Sequence, residues 1–259
     1  MTDLILSQRE GAIATVVLNR PDKLNALTRP MWQRLGELMT ELSADDTLRC
    51  VVLRGAGGKS FAPGNDIAEF ATERANFDQG KAYGAVLHAA LGAIAGCRHP
   101  TVALIEGICV GGGLEIAALC DLRICGQSSR FGVPINRLGL VMAHAELAAL
   151  VQLAGRAVAL EMLLEGRVFD AREALDKRLV TRVVADDQVQ AEAMATAQRI
   201  AAGAPLVARW HKRFLHQLES GAPLTEADRD EAFRCYDSED FRLGVQAFLA
   251  KTPPAFVGR

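Results

Sequence analysis

Two short segments carry residue types that could do chemistry: Phe61-Ala-Pro-Gly-Asn-Asp66 and Gly111-Gly-Gly-Leu-Glu115. Each places glycine at the exit of an apolar run and just ahead of a helical pattern. Glycine lets a ligand approach the backbone closely. A helix N-terminus offers unpaired N–H groups and the positive end of the helix dipole. Two such groups converging on one oxygen make an oxyanion hole, each donor lowering a barrier by about 2.7–4 kcal/mol. The same residues also suit two ordinary tight turns. Nucleotide binding fits less well. Gly55-Ala-Gly-Gly-Lys-Ser60 ends like a phosphate loop, but that motif needs glycine where Leu53 stands. A dinucleotide fingerprint starting at Gly111 needs Gly or Ala where Ile116 stands.

The elements that must position these segments alternate along the chain. Ile13–Leu18 and Cys50–Leu53 are β-branched apolar runs that read as buried strands. Between them a helix is predicted from a Thr28 cap, with Pro30 in its first turn and Trp32, Leu35, Leu38, Met39 and Leu42 on one face, closing at Asp45-Asp46. A helix over Ala82–Ala95, a strand Thr101–Ile105, a short helix Leu114–Leu119 and a strand Leu122–Cys125 follow. Then come helices Glu146–Leu153 and Ala157–Leu164, separated by Gly155, helix Ala171–Leu179 and strand Val180–Val184. From Val189 the pattern is helical, broken at Gly203-Ala-Pro205 and Gly221-Ala-Pro223. This predicts an α/β core over 1–200 and a helical C-terminal region over 201–259.

Composition narrows the function classes. The chain has 259 residues, with 29 Lys and Arg against 31 Asp and Glu and a formal charge of −2. A near-neutral balance argues against nucleic acid, which needs clustered basic residues. The longest uncharged stretch is Ala82–Cys97, shorter than the roughly 20 apolar residues of a membrane span. Met1-Thr2-Asp3 carries an acid where a signal peptide carries basic charge. Six cysteines with no Cys-x-x-Cys and no neighbouring His at zinc spacing read as reduced core residues. These features predict a cytoplasmic protein with no metal site.

Three segments resemble successive signatures of the crotonase, or enoyl-CoA hydratase/isomerase, superfamily. They are Leu18-Asn-Arg-Pro-Asp-Lys-Leu-Asn-Ala-Leu27, Phe61-Ala-Pro-Gly-Asn-Asp-Ile67 and Gly107-Ile-Cys-Val-Gly-Gly-Gly-Leu-Glu-Ile-Ala-Ala-Leu-Cys-Asp121. Ser238-Glu-Asp-Phe-Arg242 and the ending Phe248–Phe256 resemble that family's C-terminus, so the resemblance spans the chain. It implies an α/β, ClpP-like spiral of ββα units with a helical C-terminal trimerisation region, a homotrimer or a hexamer of paired trimers. The implied ligand is an acyl-CoA thioester, CoA being part of the substrate and no separate cofactor being needed. The implied oxyanion donors are the N–H groups of Asn65 and Gly112, flanked by Gly64 and Gly111. The adenine would lie against the backbone at Ala26 and at Ala62-Pro63, with Lys59 toward the CoA phosphates and Lys23 and Lys251 as weaker candidates. Asn65 stands where alanine is commoner, which an N–H donor tolerates. Pro63 lacks an N–H, but the adenine contact there uses carbonyls.

Glu115 matches a catalytic glutamate of the family. The second hydratase glutamate should follow Pro134, and that position is Ile135. Hydratases use the pair to hold one water, whereas moving a double bond needs one carboxylate. His144 and Glu146, on the following segment, are candidate replacements for the missing acid–base, and His88 could line the acyl pocket. The other histidines, His99, His211 and His216, sit among Arg and Lys and read as solvated. The first expectation is hydration of a 2-enoyl-CoA through a thioester enolate. The rivals are a single-glutamate isomerase and a weakly catalytic acyl-CoA-binding paralogue.

Overall fold

The computed structural model describes residues 3–259; Met1 and Thr2, part of the N-terminal reading above, lie outside the described residues. Ile5–Glu10 (β1) pairs antiparallel with Ile13–Leu18 (β2), and Arg29–Ala44 (α1) follows. The chain then repeats one unit three times. Cys50–Gly55 (β3) leads to Ser60–Ala62 (β4), Phe70–Glu73 (α2) and Phe77–Ala95 (α3). Thr101–Ile105 (β5) leads to Ile108–Val110 (β6) and Gly112–Leu119 (α4). Leu122–Gly126 (β7) leads to Arg130–Gly132 (β8) and His144–Glu165 (α5). Val168–Asp170 (β9), Ala171–Asp176 (α6) and Arg182–Val184 (β10) complete the core, before Val189–Ala202 (α7), Pro205–Glu219 (α8), Glu226–Glu231 (α9) and Glu239–Ala250 (α10).

The first strand of each unit joins a six-stranded sheet of order β1-β2-β3-β5-β7-β10, parallel from β2 onward. The second joins a four-stranded sheet, β4-β6-β8-β9. This is a spiral of ββα turns. Strands β3 and β5 carry continuous apolar runs, and β7 is apolar apart from the buried Arg123, because both faces of these strands are covered. The period of two divides each between two cores. Cys50, Val52, Val102, Leu104 and Ile124 face α7 through Val189, Ala193 and Ala197. Val51, Leu53, Ala103, Ile105 and Cys125 face inward, toward the small sheet and the helices α1, α3 and α4.

The sequence reading missed β4, β6, β8 and β9, because three residues are too few to show a period, and β1, an edge strand whose last four residues are polar and exposed. Helix α3 starts five residues earlier than predicted, where the Asn76 side chain accepts from Gln79 N–H at 3.0 Å and caps it. Helix α5 is the one described helix whose length and apolar content could suit a membrane, but Gly155 (φ 80°, ψ 162°) breaks it. Each half is too short to span about 30 Å of hydrocarbon. His99, read as solvated, is buried with both ring nitrogens unpartnered. Burial, with Arg209 and Arg98 beside it, pushes its pKa down to about 4.

Candidate active site

Both glycine segments lie at the exits of small-sheet strands, one after β4 and one after β6, so the pairing of β4 with β6 puts them side by side. They touch. A Cβ added at Gly64 (φ 99°) would sit 2.8 Å from the Gly112 nitrogen, and one at Gly113 would sit 2.1 Å from the Ala62 carbonyl oxygen. Gly111 (φ 51°, ψ −128°) is the N-cap of α4 and donates to the Gly132 carbonyl at 2.8 Å. Asn65 bridges Leu27 in parallel: Leu27 N–H donates to Gly64 O and Asp66 N–H donates to Leu27 O, both at 2.8 Å. That pattern turns the Asn65 N–H away from Leu27. Neither it nor the Gly112 N–H has a hydrogen-bond partner among the described residues. Two free amides from adjacent segments therefore border one cavity of about 160 Å³.

Two buried residues hold this geometry: Trp32, which the sequence reading placed only on an apolar helix face, and Tyr83, to which it gave no role. Trp32 of α1 donates through Nε1 to Asn65 Oδ1 at 2.6 Å, and the same ring backs Gly112, whose added Cβ would lie 3.0 Å from Trp32 Cζ2. Tyr83 of α3 donates to Glu69 at 3.1 Å and lies 3.3 Å from Asn65 Oδ1. Their apolar spacing hid this role. Past Asn65, Asp66 pairs with Arg20 at 2.6 Å, and that guanidinium holds the Asp66 carboxyl below its ordinary range.

Glu115, one turn into α4, is buried beside the two amides and lines the same cavity. Its Oε2 has no partner. Burial, then the neighbouring Glu146 carboxylate, pushes its pKa up to about 8 against the opposing pull of Arg74. Below that pH the group carries a proton. Ile135 also lines the cavity, so the position of the missing glutamate presents an apolar wall.

Of the two candidate replacements, the structure brings in one. His144 is exposed at the start of α5 and does not line the cavity. It points away because it is the first residue of the helix, two positions before the inward-facing one. Glu146 lines the cavity with Glu115. Its Oε2 accepts from the Ala143 N–H at 2.9 Å and its Oε1 lies 2.8 Å from His88 Nε2. A glutamate at the third position of a helix, reaching back to the first free N–H, is the signal in the sequence for this placement. His88 thus meets the site through Glu146 rather than through the cavity wall.

The other positions spread along the approach. Lys59 is exposed and lines a small cavity of about 180 Å³ with Pro21, Leu24, Gly57 and Ser60. Ala26 is half-buried, and its carbonyl accepts from Arg20 at 3.1 Å. Ala62 is buried and Pro63 half-buried at the cavity edge. Lys23 and Lys251 are exposed and line neither cavity.

This arrangement recurs in solved structures. The crystal structure of an enoyl-CoA hydratase/carnithine racemase from Magnetospirillum magneticum superposes with a TM-score of 0.98 at 54% identity, covering 100% of this chain and 97% of that one. The fold is the crotonase fold. A model of the enoyl-CoA hydratase/isomerase family matches residues 8–259. A probable enoyl-CoA hydratase of Mycobacterium bovis is 33% identical over 99% of both chains, and a short-chain-enoyl-CoA hydratase of Clostridium acetobutylicum is 30% identical over 95% of both. The chain belongs to the enoyl-CoA hydratase/isomerase family and is an acyl-CoA enzyme.

Proposed function

We propose that this enzyme hydrates a 2-enoyl-CoA, with Glu146 in place of the glutamate that Ile135 replaces. The thioester oxygen accepts from the Asn65 and Gly112 N–H groups. Glu146 takes a proton from water, the water oxygen bonds to C3, and the double-bond electrons move onto the thioester as an enolate. Glu115 then delivers its proton to C2. The product is a 3-hydroxyacyl-CoA, and one proton passes from Glu146 to Glu115 to restore the start. Water, substrate and the two carboxylates balance the reaction.

The observation that carries this reading is that Glu115 and Glu146 line one cavity in contrasting surroundings. Glu115 has an unpartnered oxygen and a raised pKa, while both Glu146 oxygens are engaged by Ala143 N–H and His88. Carboxyl groups whose environments differ in this way divide into acid and base. Assay crotonyl-CoA hydration and isomerisation of a 3-enoyl-CoA in wild type and in Glu115→Gln and Glu146→Gln. Hydration lost in both variants supports the pair. Isomerisation that survives Glu146→Gln while hydration is absent assigns single-carboxylate chemistry to Glu115. Thioester binding with no turnover assigns a binding protein.

The CoA would run past Ala62-Pro63 and Ala26, with its phosphates toward Lys59. Helices α8 to α10 leave Leu215, Leu218, Phe233, Tyr236, Phe248 and Leu249 exposed, and we assign that apolar surface to contacts among copies in a homotrimer or a dimer of trimers. Sedimentation equilibrium at three or six chain masses supports this; a monomer overturns it.

A further inference from the structure

Beyond the two amides and the carboxyl groups of Glu115 and Glu146, the cavity wall is mostly apolar and carries one cation. Ile67, Leu87, Ile135, Leu138 and Val141 line it together with Arg74, which follows α2. The Arg74 guanidinium carbon stacks 4.7 Å from the centre of the Phe70 ring and 4.9 Å from that of Tyr83. Among the described residues Arg74 makes no ion pair, because the acids of its own segment are engaged elsewhere. Glu73 pairs with Arg29 at 3.0 Å, Glu69 accepts from Tyr83 at 3.1 Å and Asp66 pairs with Arg20 at 2.6 Å. Glu146 is held at 2.8 Å from His88. Arg74 acts on Glu115 through space, but Glu115 carries a proton at neutral pH and does not neutralise it.

Arg74 is half-buried, and an acyl chain that covers it removes its charge from water, which is costly unless an anion meets it. Aromatic rings satisfy the flat face of a guanidinium and leave its edge, a fork of N–H donors, for a planar carboxylate. The shape and the charge of this wall are thus complementary to an acyl chain with a negative end. We propose that Arg74 receives a carboxylate at the far end of the acyl group, so that the substrates are enoyl-CoA thioesters of short dicarboxylic acids. This rests on reading the cavity as the acyl pocket.

The test is calorimetric binding of glutaryl-CoA and butyryl-CoA, which differ in a terminal carboxylate, to wild type, Arg74→Met and Arg74→Lys. Wild type should bind glutaryl-CoA at least about 10-fold more tightly. Arg74→Met should weaken glutaryl-CoA binding at least about 10-fold and abolish that preference while still binding butyryl-CoA, and Arg74→Lys should keep part of it. Turnover of glutaconyl-CoA against crotonyl-CoA should follow the same order. Equal binding of the two ligands by wild type, or a preference that survives Arg74→Met, overturns the proposal and leaves the hydratase reading standing. Binding of neither ligand overturns the acyl-pocket reading and this proposal with it. A glutaryl-CoA preference without hydration keeps the proposal and overturns only the hydratase chemistry.

Discussion

Trp32 Nε1 donates to Asn65 Oδ1 at 2.6 Å while the same indole ring backs Gly112, so one buried side chain references both residues of the proposed oxyanion site. The two amides come from segments 47 positions apart in sequence, and neither segment contacts Trp32 through sequence proximity. Replacing Trp32 by Phe removes the donor and keeps an aromatic ring. A hydrogen bond of this kind contributes about 1 kcal/mol. Trp32→Phe should therefore lower kcat by about 5- to 10-fold with a smaller change in KM. Steady-state kinetics check this, and an unchanged kcat removes Trp32 from the positioning of Asn65.

Gly64 tests the contact between the two segments directly. Its φ of 99° and the 2.8 Å approach of an added Cβ to the Gly112 nitrogen leave no room for a side chain. Gly64→Ala should cost about 1–3 kcal/mol of stability from backbone strain alone. It should also lower kcat by at least about 100-fold, the scale of one lost oxyanion donor. Urea denaturation and single-turnover kinetics give the two numbers; a fully active Gly64→Ala would mean the amides are not the oxyanion donors.

Glu146 and Ile135 can be exchanged in role. Glu146→Gln should reduce hydration by about 10²–10⁴-fold, the usual contribution of a general base. Adding Ile135→Glu to that variant places a carboxylate in the lining of the same cavity and should recover at least about 10-fold of the loss. His88→Gln, which keeps a polar group near Glu146 Oε1, should impair hydration less than His88→Leu. No recovery in the double variant, with the protein folded, argues against Glu146 as the base.

Glu115 also leaves a mark on stability. Its pKa is about 8 in the folded protein against 4.5 for the ordinary group, so between those values the unfolded chain has lost the proton that the folded chain retains. Wild type therefore loses stability as pH rises from about 4.5 to 8, by at most about 1.4 kcal/mol per pH unit. Glu115→Gln has no such proton, and its melting temperature should gain on wild type steadily from pH 5 to pH 8. A pH-independent difference would mean that Glu115 is not held protonated.

His99 acts on the acid side. Burial pushes its pKa down to about 4 from 6.5, so as pH falls through that window the unfolded chain takes up a proton that the folded chain refuses. The His99 contribution to stability is fully present above pH 6.5 and is lost toward pH 4. His99→Gln should flatten this part of the acid-denaturation profile. An equally steep profile in the variant would place the acid sensitivity elsewhere.

The sequence by itself determined the large-sheet strands from β2 onward, the main helices between them and the two glycine segments, because each is a local pattern of period, cap or backbone freedom. Asn65, Gly112 and Glu115 were legible through motifs whose neighbours in sequence are also their neighbours in space. Only the tertiary structure decided what depends on separate segments meeting. The three-residue strands of the small sheet carry no period of their own and exist because each finds a partner across the spiral. Trp32 and Tyr83 look like core residues until folding brings their polar atoms to Asn65 and Glu69. The choice between His144 and Glu146 rests on which face the first turn of α5 turns to the cavity. The raised pKa of Glu115 arises from burial and a carboxylate on another helix, and the cation on the cavity wall makes no ion pair while Glu73, Glu69 and Asp66 are engaged by Arg29, Tyr83 and Arg20. Charge and solvation are properties of the assembled neighbourhood, and a linear pattern does not contain them.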